Sequence, residues 1–263
     1  MRLTVIGLGR AGGSMAIASS AAGHEIVGVL SRSPFDGPWP RLEWEADIPE
    51  SDVVLLAVRD DAIEDVSHRV APHVSAVGVV AHMSGFVPVR VLHHLQERGT
   101  AVGGFHPLQS LPDPETGAGA LAGSYVGIDG DPLAVDMLTH LADTLGMDPF
   151  RLDDRVRPAY HAAAAAAANF VVASLGVSAD LFESAGIDPK VSRPLVERAV
   201  ANVFEHGSHA SLTGPIARGD IETVIGHLTV AHEVSDEVGR QFRLMAEATT
   251  IRAGREEDLH RWR

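Results

Sequence analysis

A glycine-rich turn near the amino end constrains the fold of this chain more than any other feature. The apolar run Leu3 to Ile6 is followed by Gly7, Gly9 and Gly12, in the pattern G-x-G-x-x-G. In a strand–turn–helix unit the first glycine permits a tight turn, the second lets a pyrophosphate approach the backbone, and the third lets the helix pack closely on the strand. The free amides of a helix that begins here would point at the phosphates. The turn therefore predicts a dinucleotide-binding unit, and the alternative is an ordinary strand–turn–helix connection.

The end of the second predicted strand, Glu25 to Leu30, indicates which dinucleotide is bound. Sites that prefer NAD usually place Asp or Glu here, where the carboxylate bonds the ribose 2′-hydroxyl. This chain has Ser31, Arg32 and Ser33 instead, and its next carboxylate is Asp36. Two hydroxyls and a guanidinium suit a 2′-phosphate, because charge-assisted hydrogen bonds contribute about 1.5–3 kcal/mol each. We expect NADP, with NAD possible, and the alternative is a polar loop with one solvated arginine.

The order of predicted elements indicates two domains. Apolar strands alternate with helices up to residue 152, and residues 112–119, rich in proline and glycine, are predicted to form a loop. From residue 153 onward strand signals stop, and a long helix is predicted over residues 157–186. This order predicts a Rossmann domain over residues 1–152, a doubly wound and mainly parallel α/β sheet, followed by an all-α domain over residues 153–263.

Ligands of open α/β sheets bind outside the carboxyl ends of the strands. Ser84 and His106 each follow a predicted strand, so we expect them at the same crevice as Gly9. The predicted cofactor-binding residues share this edge of the sheet: Gly7, Leu8, Gly9, Arg10, Ala11, Gly12, Ser31, Arg32, Ser33, Ala57, Val58 and Ser84.

Composition excludes several classes of function. The chain has 263 residues, 45% of them apolar, and a formal charge of −14, which argues against nucleic acid or an anionic membrane as a partner. It has no cysteine, so a thiolate nucleophile and cysteine-ligated metal are excluded, and no histidine spacing predicts a metal site. Glycines and an arginine interrupt the amino-terminal apolar run, which argues against a signal peptide. The alanine tract near residue 165 is expected to be too short to span a membrane, so we expect a cytoplasmic protein.

Three segments carry a resemblance to a known family. They are Tyr160-His161-Ala-Ala-Ala with Asn169-Phe170, the run Leu212 to Asp220 (LTGPIARGD), and His106-Pro-Leu-Gln-Ser110. With these segments the chain resembles Rossmann-like oxidoreductases that have a C-terminal helical domain of unknown function. That family is related to 6-phosphogluconate dehydrogenase-like proteins, including ketopantoate, pyrroline-5-carboxylate and prephenate enzymes. The resemblance implies NADP-linked hydride transfer to a small substrate held between two domains, and a homodimer formed through the helical domain.

One departure from the related enzymes affects the predicted mechanism. Hydroxyacid dehydrogenases and ketopantoate reductases usually have a lysine four residues before an asparagine on the long helix. Asn169 fits that asparagine, but the position four residues earlier is Ala165, and the only lysine is Lys190. Hydride reduction of a ketone needs a proton donor or oxyanion partner, so another residue must take this part, or the substrate differs.

Histidines are the best candidates for the missing donor, because their reference pKa is near neutrality. His106 and His161 are predicted to be catalytic, with Asn169 orienting the substrate oxygen. At 100° per residue, His161 and Asn169 share one face of a helix, whereas Tyr160 would point elsewhere and pack. The alternative for each residue is a structural hydrogen bond.

The predicted substrate-binding residues are Gln109, Arg218 and Asp220. Arg218 could bind a substrate carboxylate in a bidentate manner, or it could pair with Asp220 and hold the loop. The sequence thus favours an NADP-dependent reductase of a small 2-oxo acid, with ketopantoate first. The alternatives are an imine reductase that resembles the pyrroline-5-carboxylate enzyme and a non-catalytic NADP-binding sensor.

Overall fold

The structure is a computed structural model that describes residues 1–32, 35 and 37–262. Its chain divides into two compact units, Met1–Ala165 and Ala166–Arg263. The sequence places the division at residue 153, directly after the last strand. The first compact unit extends further because the helix that starts at Arg157 buries this arginine completely and contacts the sheet.

The first unit is built on a seven-stranded sheet of order β2-β1-β3-β4-β5-β6-β7. The strands are β1 (Arg2–Ile6), β2 (Glu25–Leu30), β3 (Ser51–Leu56), β4 (Val77–His82), β5 (Ala101–Leu108), β6 (Tyr125–Gly130) and β7 (Asp148–Arg151). Strands β1 to β5 are parallel, β6 is antiparallel to β5, and β7 is parallel to β6. The predicted mainly parallel, doubly wound sheet is confirmed. The carboxyl ends of β1, β3, β4 and β5 consequently meet at one edge.

Helices cover both faces of this sheet. They are α1 (Arg10–Ala21), α2 (Ile63–Val70), α3 (Pro114–Leu121) and α4 (Pro132–Thr144), with 3₁₀ turns at Asp60–Ala62, Ala71–His73 and Val89–Arg98. One core packs α1, α3 and α4 on the sheet through side chains such as Met15, Leu121 and Leu138. The other packs α2 and the 3₁₀ segment through Ile63 and Leu92. Because both faces are covered, the central strands are almost entirely apolar.

Helix α3 corrects the prediction of a loop over residues 112–119. Asp113 caps the helix by accepting a hydrogen bond from the amide of Thr116 at 2.8 Å. A side chain at Gly117 would overlap Ser14, and one at Gly13 would overlap Pro114. The small residues that suggested a loop are there because α3 packs closely on α1.

The second unit is helical. Its elements are a π-helical turn at Ala166–Phe170, α6 (Val171–Ser184), α7 (Arg193–His206), α8 (Pro215–Arg218), α9 (Ile221–Val234) and α10 (Asp236–Arg252), with 3₁₀ turns at Pro189–Ser192 and Glu256–Arg261. Helix α5 (Arg157–Ala165) belongs to the first unit and precedes the π turn directly. Small apolar cores form around Val224, Leu228 and Trp262, and around Val177, Ala231 and Val238.

The helix from Arg157 to Ser184 corrects a second prediction. It is 28 residues long and apolar enough, by length and composition, to cross a membrane, and 6% of its most apolar window is buried. The sequence prediction that the alanine tract is too short is wrong, since the helix continues through the apolar residues of α6. The core helix of a soluble protein can have the same length and composition. The helix therefore shows an exposed apolar surface, which is typical of an interaction site.

Candidate functional site

The glycine turn has the geometry that a pyrophosphate requires. Gly7 follows β1 with φ +97°, and a Cβ there would lie 2.5 Å from the carbonyl oxygen of Ala57. A Cβ at Gly12 would overlap the carbonyl of Gly7, whereas no atom lies within 4 Å of a Cβ built on Gly9. The turn is therefore closed on the protein side and open at Gly9.

The start of α1 offers free amides at this opening. Gly9 is the N-cap of the helix, and neither a capping side chain nor an acidic residue occupies the first turn. The first amides of a helix have no partner within the helix, and the macrodipole favours an anion beside them. The open space at Gly9 and the unpaired amides of the first turn of α1 therefore fit a pyrophosphate.

The remaining residues predicted at this turn lie around it. Ala57 donates its amide to Ile6 across the strands at 2.8 Å, and Val58 borders Gly7. Leu8 and Ala11 are partly buried against the core of the α1 face, so they support the turn. Arg10 is exposed.

The structure places the polar residues after β2 at the same edge of the sheet. Ser31 is partly buried and Arg32 is exposed. In the part of the chain that the structure describes, Arg32 has no ion-pair or hydrogen-bond partner. Ser33, the third predicted residue, lies outside the described residues.

The loop after β4 is fixed through Ser84. Its amide donates to Nδ1 of the buried His82 at 3.2 Å, and its carbonyl accepts from Nη1 of Arg157 at 3.1 Å. Its hydroxyl oxygen accepts the amides of Phe86 and Val87 at 3.0 and 2.9 Å. Because Oγ accepts both bonds, its own hydrogen remains free to donate to a ligand.

His106 lies within β5, beyond the point where β4 ends. The β4–β5 pairing stops at Gly104, and His106 pairs only with Gly127 of the antiparallel β6. Its ring lies against Gly85, where a Cβ would be 2.8 Å from Nε2. The predicted position of His106 next to the loop of Ser84 is therefore present in the structure.

Tyr160 is the partner of His106. Its hydroxyl lies 2.7 Å from Nδ1 of His106, and the two rings meet edge to face with centroids 5.5 Å apart. Tyr160 does pack, against the rings of His106 and Phe150, but the sequence did not predict its hydrogen bond to His106. Tyr160 and His106 are 54 positions apart, so no local pattern could indicate their contact.

His161 adjoins this pair on the same helix. Its ring centroid is 6.1 Å from that of His106 and 6.0 Å from that of Phe86. Its Nδ1 is buried and has no hydrogen-bond partner among the described residues, and Phe86 is 51% exposed. We call Phe86, His106, Tyr160 and His161 the aromatic cluster.

The surroundings keep His106 and Tyr160 neutral. Burial, followed by the nearby His161 and Arg157, lowers the pKa of His106 to about 4. Burial also raises the pKa of Tyr160 to about 12, although Arg157 opposes this shift. Near neutral pH the pair is therefore an uncharged imidazole hydrogen-bonded to an uncharged phenol, and the tautomer of His106 decides which of the two donates.

A buried ion pair beneath the cluster was not predicted from the sequence. The guanidinium of Arg157 is fully buried, and its Nε lies 2.8 Å from the carboxylate of Asp154. Asp154 also accepts the amides of Val89 and Arg90, at 2.7 and 3.3 Å. The pair joins the start of α5 to the loop of Ser84. An Asp and an Arg three residues apart at a helix start are the signal that could have indicated it.

Asn169 lies in the second unit, in the π-helical turn, and is exposed. The predicted common face with His161 assumed a regular α-helix, and the π turn removes the basis for that spacing. The predicted catalytic role of Asn169 remains a prediction.

The predicted substrate-binding residues have protein partners. Arg218 pairs with Asp220 through a 2.8 Å contact in the second unit, which is the loop-holding alternative. Gln109 donates to the carbonyl of Ala120 at 3.2 Å and accepts the amide of Ser110 at 2.8 Å. To bind a substrate, Arg218 and Gln109 would each have to give up an interaction with another part of the protein.

Comparisons with known proteins agree with this architecture. The model of a family described as a domain of unknown function, DUF2520, matches residues 124–249. No curated protein matches the sequence of this chain.

Solved structures share the fold of this chain. A Bacteroides fragilis protein assigned as an NADP oxidoreductase has a TM-score of 0.82 at 20% identity, over 95% of this chain and 98% of that one. An imine reductase from Myxococcus stipitatus in complex with NADP⁺ has a TM-score of 0.68 at 14% identity, over 100% and 99%. A Plasmodium falciparum pyrroline carboxylate reductase with NADP bound has a TM-score of 0.65 at 12% identity, over 96% and 98%. The resemblance to Rossmann-like proteins with a C-terminal helical domain is confirmed.

Proposed function

We propose that this chain is an NADP-dependent reductase that adds hydride to the C=O or C=N carbon of a small molecule. The observation that carries the proposal is the 2.7 Å hydrogen bond between His106 and Tyr160, located at the sheet edge that holds the glycine turn. The names of the structures that share the fold, which include NADP-bound reductases, support the choice of cofactor.

The residues at the sheet edge fit the two ends of NADP. Free amides of α1 and the open space at Gly9 would hold the pyrophosphate, and Ser31 and Arg32 would hold the 2′-phosphate. When bound, the nicotinamide supplies the hydride. The free hydroxyl hydrogen of Ser84 is available to donate to the ring end of the cofactor.

Tyr160 is the proposed proton donor. Its phenol can give a proton to the oxygen or nitrogen of the substrate as negative charge develops there, a step that typically contributes 10²–10⁴-fold to the rate. In the tautomer with its proton on Nδ1, His106 would donate a hydrogen bond to the phenol oxygen, which leaves the phenol hydrogen free for the substrate; the tyrosinate that forms would then take up a proton from water. This pair replaces the lysine that the related enzymes use and that is missing from this helix.

Two substrate classes fit the proposed reaction. A 2-oxo acid, with ketopantoate as the first compound to test, requires a cation for its carboxylate, and Arg218 would have to leave Asp220 to provide it. A cyclic imine such as pyrroline-5-carboxylate is favoured by the imine reductases among the structures of similar fold. A protonated imine also needs less help from a donor, because it already has the proton.

A homodimer formed through the second unit is also proposed. Helix α7 has no buried residue, and Phe170, Leu195 and Phe204 are 69%, 70% and 87% exposed. Each phenylalanine can bury about 150–250 Å², so contacts through these side chains would contribute to a subunit interface. Light scattering after size exclusion tests this proposal. If the protein is a dimer in buffer without detergent and Phe204→Glu makes it a monomer, the proposal is supported. If the protein needs detergent to stay in solution and is then a monomer, the apolar helix binds a membrane and the proposed cytoplasmic dimer is contradicted.

The reductase is tested by NADPH oxidation across a panel of 2-oxo acids and cyclic imines that includes ketopantoate and pyrroline-5-carboxylate. Substrate-dependent oxidation that falls at least tenfold in His106→Ala supports the reductase. NADPH binding without turnover on any compound of the panel would instead favour the sensor.

A further inference from the structure

A short segment returns to the free edge of the sheet beside β2. The amide of Val29 donates to the carbonyl of Pro40, and the amide of Leu42 donates to the carbonyl of Val29, both at 2.8 Å. Arg41 forms the corresponding parallel bridge with Val29. The backbone of residues 40–42 is therefore held against β2 in an extended conformation.

Alternation along this extended segment sends neighbouring side chains in opposite directions. Leu42 packs over Gly28, where it fills the space that a Cβ would need. Arg41 is exposed, and its Nη2 lies 3.4 Å from the carbonyl oxygen of Ser31. The guanidinium of Arg41 thus lies at the end of β2, next to the residues proposed to hold the 2′-phosphate.

Two arginines lie near this position. Despite a net charge of −14, Arg32 and Arg41 have no carboxylate partner in the described part of the chain. By contrast, Arg2 pairs with Glu50 and Arg59 pairs with Asp61, both at 2.7 Å. Two arginines at one strand end, without counter-ions among the described residues, favour binding of an anion.

We propose that Arg41 is a second arginine that binds the 2′-phosphate of NADP and so determines the preference for NADP over NAD. This inference rests on the proposed function, because it requires that the dinucleotide binds at the glycine turn. A phosphate monoester has close to two negative charges at neutral pH. An arginine presents a planar fork of donors that matches the phosphate oxygens. Among the described residues Arg41 makes one weak bond, to Ser31, which leaves most of its donors free.

The experiment is a calorimetric titration of the whole protein with NADP⁺, NAD⁺ and 2′,5′-ADP. The variants are Arg41→Ala and the matched control Arg98→Ala. Arg98 is also exposed, but it precedes β5 and so lies near the amino ends of the parallel strands, away from the glycine turn. In Arg41→Ala we expect Kd for NADP⁺ and for 2′,5′-ADP to rise about tenfold or more, with Kd for NAD⁺ unchanged. Arg98→Ala should leave all three values unchanged.

Other outcomes overturn the proposal in recognisable ways. If Arg41→Ala weakens NADP⁺ and NAD⁺ equally and lowers the melting temperature, Arg41 only fixes the loop at Ser31. If NADP⁺ binds the wild type and Arg41→Ala equally, the preference resides elsewhere while the proposed function stands. If the wild type binds neither dinucleotide, the proposed function itself fails and Arg41 fails with it.

Discussion

Tyr160 Oη and His106 Nδ1 lie 2.7 Å apart, a contact that joins the first turns of α5 to the strand that ends the parallel part of the sheet. Since burial keeps both groups uncharged near neutral pH, the contact combines a phenol that can donate a proton with an imidazole that orients it. The catalytic part of the proposed function depends on this pair.

Replacement of Tyr160 by phenylalanine should remove the donor and leave the fold intact. We expect kcat to fall about 10²–10⁴-fold, with Kd for NADPH unchanged, because the hydroxyl contacts His106 and not the glycine turn. Tyr125, which is 58% exposed on β6, is the matched control, and Tyr125→Phe should keep wild-type kcat. Steady-state kinetics on the best substrate of the panel measures both variants, and equal kcat values in all three proteins would remove Tyr160 from the mechanism.

Stability should fall as the pH is lowered through the histidine range. Burial lowers the pKa of His106 to about 4 and that of His82 to about 3, from 6.5. Between pH 6.5 and about 4 the unfolded chain therefore binds more protons than the folded chain, so the free energy of unfolding decreases as the pH decreases. Urea unfolding at half-unit intervals should show this slope, and His106→Gln should make it shallower. His93→Gln, at an exposed position, is the control, and an unchanged slope in His106→Gln would contradict the prediction.

The two adjacent aspartates after β7 should differ sharply in their contribution to stability. Asp154→Ala leaves the fully buried guanidinium of Arg157 without its counter-ion, and the loss of one partner of a buried pair typically costs about 3–5 kcal/mol. Asp153→Ala removes an exposed pair with Arg155, which is expected to change the free energy of unfolding little. Urea unfolding of the two variants tests the contrast. Equal losses would show that the Asp154–Arg157 pair does not anchor the loop of Ser84.

The sequence predicts those parts of the fold that local patterns determine. The glycine turn, the apolar strands and the start of the helix at Arg157 are all visible in it, because each depends on residues close together along the chain. His106 is predicted as a candidate for the same reason, since it follows the apolar run that the sequence assigns to a strand.

Tertiary contacts account for what the sequence did not predict. Tyr160 contacts His106 only because the start of α5 packs on β5. The glycines of α3 suggest a loop in the sequence, whereas in the fold they allow α3 to pack closely on α1. The spacing from His161 to Asn169 follows the α-helical repeat, yet the π turn intervenes. The boundary between the units moved for a related reason, because Arg157 is buried with the sheet and not with the helices that follow it.

The most direct measurement is a fluorescence titration of NADPH into the wild type and Gly9→Ala, because the central claim is that the open turn at Gly9 binds the dinucleotide. A Cβ at Gly9 meets no protein atom within 4 Å, so this variant should melt at the wild-type temperature when no ligand is present. The account predicts saturable binding to the wild type and at least tenfold weaker binding to Gly9→Ala, because the added methyl enters the space of the pyrophosphate. Absence of binding to the wild type, or equal binding to both proteins, would contradict it.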